Sequence, residues 1–273
     1  MSYDNNYNDN DYTSNQWQGS TWTDNGYQPG KAEDPISSYG DSPYEMNAKD
    51  LSKLNFEENV LSQSFVFMAI ALLITALTAF YIYSSPKLLN NLCYDSHAFL
   101  FVVVCEFVVI VVASITIQKN LVIPSAILYT LYSVLTGATV AIIFARYTTT
   151  SIATSFFITA GMFGIMAIYG LTTKKDLSSW GSIGIMALCG TLLAAVINFA
   201  FLHNTMFDFV VSIIVIMVFI GLTAYDTQKI KQMARYAPTE NVTCLALYGA
   251  LDLYLDFINL FLRLVRILGR NRD

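Results

Sequence analysis

The chain has 273 residues, 55% of them hydrophobic and only 13% charged, with a formal net charge of −5. So little charge on so much apolar material excludes an ordinary soluble globular domain and points to an all-α protein built into a lipid bilayer, with no nucleic acid among its partners. The acidity is uneven: residues 1–60 hold eleven acids against three lysines, and residues 61–273 hold nine acids against twelve bases.

Residues 1–55 are rich in Asn, Asp, Ser, Gly and Tyr and sustain no apolar period, which predicts a disordered acidic tail. A basic stretch followed by a short apolar core and a small-residue cleavage site is missing from the N-terminus, so insertion is expected to begin at the first span. A membrane domain is predicted over residues 59–270.

A bilayer core of about 30 Å needs about 20 helical residues. Six segments meet that length with few interior charges: Phe65 to Tyr83, Ala98 to Ile117, Leu121 to Ala145, Ile152 to Leu171, Trp180 to Leu202 and Phe207 to Tyr225. A seventh, Thr243 to Leu268, is as apolar apart from Asp252, Asp256, Arg263 and Arg266. With the tail in the cytoplasm, Lys119, Lys174, Lys175, Lys229, Lys231 and Arg235 fall on the cytoplasmic side, against Lys87 and Arg146 opposite. The arginines of the last segment conflict with this. Either that segment re-enters and keeps them inside, or it crosses because six upstream spans override its weak signal; crossing is the expectation. The short loops fit a bacterial inner (plasma) membrane.

Cys93, Cys105, Cys189 and Cys244 form no C-x-x-C pair, and Cys105 and Cys189 read as small core residues. The stretches "TAGMFGIMAIYG" and "GSIGIMALCG" carry Gly161, Gly164 and Gly170, then Gly181, Gly184 and Gly190. Small residues let transmembrane helices approach closely, so the fourth and fifth spans are expected to pack on one another there.

Four acids stand inside apolar segments: Glu106, Asp226, Asp252 and Asp256. Each is costly in hydrocarbon, so each is expected to face the bundle interior, lose its charge or find a partner. Asp226 lies one turn before Lys229 and Lys231, which are expected to snorkel toward the cytoplasmic headgroups. Asp252, Asp256 and Asn259 form one polar stripe on the last helix. If Asp226 meets either aspartate of that stripe, like-charge repulsion makes the pair share a proton. Fully ionised, such a pair is also an oxygen site for Ca2+, and protons and Ca2+ compete for it. Spacing does not decide between Asp252 and Asp256. Buried aspartates also serve structure alone, bonding to backbone or pairing with arginine, and Arg263 and Arg266 stand one to two turns beyond Asp256.

An enzyme is not expected. "AYD" invites comparison with intramembrane aspartyl proteases, but "GALD" puts Leu251 where their G-x-G-D motif has its second glycine. The chain also has no G-x-S-x-G turn, H-E-x-x-H or phosphate-binding glycine loop.

Three ordered stretches, "TAGMFGIMAIYGLTTKKDLSSWG", "FIGLTAYDTQKIK" and "LYLDFINLFLRLVRILG", together resemble the Bax inhibitor family, also called the transmembrane Bax inhibitor motif or lifeguard family. The resemblance covers about Asn59 to Arg270 and implies a seven-helix bundle, with six helices around a central seventh, acting as a pH-sensitive calcium leak. It further implies a pH-sensing pair, Asp226 with Asp256; the leading expectation from residue chemistry makes these two the ligands met by Ca2+, with Asp252, Glu106 and Asn259 lining or tuning the path. No cofactor is implied; Ca2+ is the transported ion, and the lipid bilayer is the surrounding partner. Bacterial members of the family place an arginine in the second helix that ties down the pair, whereas this chain has Glu106 there and no arginine. A second reading keeps the aspartates structural and makes the protein a membrane-embedded modulator that binds proteases or cell-death regulators.

Overall fold

The computed structural model describes residues 43–94, 96–198, 204–236 and 241–270. The chain divides into two units, Met1–Ala48 and Lys49–Asp273. Of the first, residues 43–48 are described and are helical. Most of the tail expected to be disordered therefore lies outside the described residues, while its last part, from Pro43, belongs to a helix.

The described residues form eight α-helices and no strand: α1 (Pro43–Ser84), α2 (Pro86–Tyr94), α3 (Ser96–Gln118), α4 (Val122–Arg146), α5 (Thr149–Thr172), α6 (Ser178–Ile197), α7 (Thr205–Tyr236) and α8 (Val242–Leu268). Local chemistry sets the boundaries. Pro43 and Pro86 occupy first helical positions, where a missing N–H costs nothing. Thr148 and Asn241 cap α5 and α8, their side-chain oxygens accepting from the Ser151 and Thr243 amides at 3.3 Å each. Asn120 adopts a positive φ of 56° in the tight reversal between α3 and α4, a conformation asparagine tolerates better than most residues.

Among the described residues, six helices are long and apolar enough to cross a membrane: Leu51–Ser84, His97–Gln118, Val122–Arg146, Thr149–Thr172, Met206–Tyr236 and Val242–Leu268. The expected fifth span, Trp180 to Leu202, corresponds in its first part to α6, and residues 199–203 lie outside the described residues. The short α2 was not foreseen, since nine residues between two prominent apolar runs read as a loop.

The last helix is the centre. Of its most apolar stretch 72% is buried, against 39% at most in any other candidate span and 6% in α3. Leu253, Tyr254, Leu260 and Val265 are wholly enclosed, whereas Phe101 and Phe107 of α3 face outward. Aromatic edges hold α8 in place: Tyr254 meets Tyr129 and Tyr132 of α4 at 6.0 and 5.8 Å between ring centroids, and Phe257 meets Phe156 and Phe163 of α5 at 5.5 and 5.6 Å. Because α8 is screened from lipid by its neighbours, it can carry polar groups that α3 could not present to hydrocarbon.

Two expectations about small residues are corrected. Gly170, Gly181 and Gly184 do meet close neighbours, but on α7: a Cβ at Gly170 would strike the Ala224 carbonyl, one at Gly181 the Tyr225 ring and one at Gly184 the Leu222 side chain. Gly161, Gly164 and Gly190 have open space instead. The glycines thus seat α5 and α6 against α7 rather than against each other, because α7 lies in contact with both. Among the cysteines Cys244 is buried, whereas Cys189 is exposed and Cys105 half-buried, so only the former sits in the core.

Candidate functional site

A short connection makes α7 and α8 antiparallel neighbours, and their polar residues meet in register. Near one end, Arg266 pairs with Asp208 at 3.3 Å, and one turn inward Arg263 donates to Ser212 Oγ at 3.5 Å. Farther along, Asp226 and Asp256 come together. Their carboxyl groups lie close enough to act on one another, with Thr223 beside Asp256. The Thr223 hydroxyl donates to its own helix, to the Phe219 carbonyl at 2.8 Å. Asp256 is only 3% exposed, and among the described residues no donor reaches its buried Oδ2. A buried carboxylate oxygen without a donor is expensive, and it is the kind of atom that accepts a proton or a cation.

Asp252, one turn from Asp256, is engaged differently. Lys229 Nζ donates to Asp252 Oδ2 at 3.0 Å and to the Tyr248 hydroxyl at 2.8 Å, and lies 4.0 Å from Asp226 Oδ1. It also sits 4.8 Å from the centre of the Tyr248 ring. Lys229 therefore does not snorkel outward as expected. The two nearby carboxyl groups, of Asp252 and Asp226, hold its ammonium inward, since that attraction exceeds what headgroups farther away offer. Among the described residues, no three His, Cys, Asp or Glu side chains converge as a group able to hold a metal ion. Asp252 is bonded to the ammonium, and Asp226 lies at the edge of the same ion pair.

Neighbours of Asp226 on α7 fix the helix around it. The Gln228 side chain spans the α5–α6 connection, accepting from the Leu177 amide at 2.9 Å and donating to the Lys175 carbonyl at 2.8 Å. Lys231 donates to the Leu171 carbonyl at 2.9 Å in the last turn of α5, where carbonyls lack partners within the helix. Sequence reasoning gave Gln228 no role and expected Lys231 to snorkel toward the headgroups, whereas its ammonium turns to the end of α5. Long polar side chains after an apolar run were the only signal, and that signal does not name a partner.

The other expected site residues lie apart from the pair. Glu106 accepts from Thr139 Oγ1 at 3.1 Å and faces Tyr132 and Tyr254. Tyr254 and Asp256 are two residues apart and leave α8 on roughly opposite sides, so Glu106 belongs to a second polar cluster. In that cluster the Tyr254 hydroxyl meets Thr75 Oγ1 at 2.6 Å. Asn259 donates to the Leu255 carbonyl of its own helix at 2.8 Å.

Comparison with known proteins places these elements in a family. A family model described as "Inhibitor of apoptosis-promoting Bax1" matches residues 57–273, from the end of the acidic segment through α8. The chain belongs to the Bax inhibitor family. It is 43% identical over 219 residues to the inner membrane protein YbhL of Escherichia coli, a match covering 79% of this chain and 93% of that protein. A protein of Borreliella burgdorferi is 36% identical over 227 residues, with 82% and 97% covered, and one of Rickettsia prowazekii is 47% identical over 148 residues, with 54% and 62% covered. This Bax inhibitor family member is an integral protein of the inner membrane, with its acids enclosed between α7 and α8. The cation beside Asp252 comes from α7, as Lys229.

Proposed function

We propose that this chain is a slow Ca2+ leak, gated by protonation of the Asp226 and Asp256 pair. The observation that carries the reading is the approach of two carboxyl groups from the last two helices, enclosed in protein, with Asp256 Oδ2 lacking a donor among the described residues. Two carboxyls close enough to repel one another share one proton between them. Loss of that proton leaves two adjacent negative charges, which a hard divalent cation neutralises well. A station of two carboxylates binds weakly enough to release its ion, as conduction requires. In this reading α6 completes a seven-span bundle, the N-terminus lies in the cytoplasm and the protein performs no catalysis.

The test is reconstitution of the full chain into liposomes loaded with a calcium dye. A leak that varies with pH, and loses that variation in Asp226→Asn and in Asp256→Asn, supports the proposal. Flux that is the same in both variants as in the unaltered chain would make the pair structural and favour the protein-binding reading.

A further inference from the structure

The ammonium of Lys229 has three N–H donors. Two are used on Asp252 Oδ2 and the Tyr248 hydroxyl, and Asp226 Oδ1 lies 4.0 Å from the same nitrogen. A lysine at this place could have extended outward along α7, yet only 28% of its side chain is exposed. It stands where a free cation bridging Asp252 and Asp226 would stand. The carboxylates are close in sequence and space, but they do not converge as a group of three able to hold a metal ion. The nearest carboxyl beyond the pair is the one bonded to the ammonium.

We infer that Lys229 is a tethered cation that keeps Asp252 out of the ligand set of the Asp226 and Asp256 pair. It thereby holds the station at two carboxylates and sets how tightly a divalent cation binds. This rests on the reading of that pair as a cation station, and it adds the element that tunes the station's strength. Without the ammonium, Asp252 has no resident positive partner, and one turn of helix separates it from Asp256. An entering divalent cation then gains a third carboxylate ligand and loses a positive neighbour, and both changes tighten binding. An ion held more tightly leaves more slowly, so the same change slows passage.

The test is equilibrium binding of radioactive Ca2+ to the detergent-solubilised full chain at one fixed pH. Lys229→Met and Lys229→Gln, the second retaining an N–H donor without charge, are expected to bind Ca2+ about tenfold more tightly than the unaltered chain. Lys229→Arg is expected to bind as the unaltered chain does, and the double variant Lys229→Met with Asp252→Asn to lose the gain. Three results would overturn the inference: neutral variants that bind no more tightly, a gain that survives removal of Asp252, or unfolding of both neutral variants while Lys229→Arg folds. Absence of any Ca2+ flux through the unaltered chain in liposomes would instead remove the leak reading, leaving the binding comparison intact.

Discussion

The guanidinium of Arg235 donates to the buried carboxylate of Glu57 at 2.8 Å, tying the polar end of α7 to α1. The two partners are unequally buried: about half of the Arg235 side chain is exposed, while Glu57 is enclosed. Removing arginine strands a buried charge, whereas replacing the carboxylate by an amide releases a guanidinium that water can solvate. Arg235→Ala is therefore expected to destabilise the protein by about 1 kcal/mol, after discounting for the exposed head, and Glu57→Gln by less. Thermal unfolding in detergent checks the order, and equal losses would show that burial of Glu57 is unimportant.

Protons and Ca2+ compete for the same oxygens in the proposed leak, so acidification is expected to slow Ca2+ entry into liposomes. Asp256→Asn should flatten that profile. Glu106→Gln should leave its shape unchanged, because Glu106 bonds to Thr139 within the other polar cluster. A profile flattened equally by Glu106→Gln would mean that the two clusters titrate as one.

Gly170 and Gly161 lie on the same helix and predict opposite outcomes. A methyl at Gly170 meets the Ala224 backbone, which cannot swing aside as a flexible side chain would. Gly170→Ala is expected to cost about 1–3 kcal/mol. At Gly161 a methyl meets nothing within 4 Å, and alanine is the better helix former, so Gly161→Ala is expected to be neutral or stabilising by up to about 1 kcal/mol. Paired melting curves in detergent decide both.

Gln228 joins α7 to the loop between α5 and α6 through one accepted and one donated bond. Gln228→Ala leaves the Leu177 amide and the Lys175 carbonyl without those partners, at a cost of about 1–3 kcal/mol. Gln228→Glu keeps the acceptor but loses the donor, so hydrogen exchange at the Leu177 amide should accelerate in the alanine variant and stay slow in the glutamate one. Equal exchange in both would show that the amide is protected by burial alone.

The membrane class, the positions of most spans and the Bax inhibitor resemblance were legible because each is written in contiguous residues. An apolar run of sufficient length declares a helix wherever it occurs, and the aspartates of "AYDTQ" and "LYLDFIN" declare themselves by standing where hydrocarbon should be. Spacing alone did not say which of Asp252 and Asp256 meets Asp226, since i and i+4 lie on one helical face and differ only in depth; the choice of Asp256 came from the family resemblance. The rotation and register of α8 against α7 decided it. The same packing turned Lys229 inward, placed Glu106 on the far side of α8 and gave the glycines α7 as their neighbour. Sequence by itself determined which residues had to avoid lipid, because that depends on the side chain and its immediate surroundings. Only the tertiary structure decided which of them met, because charge pairing and close approach depend on distances between helices that no local pattern contains.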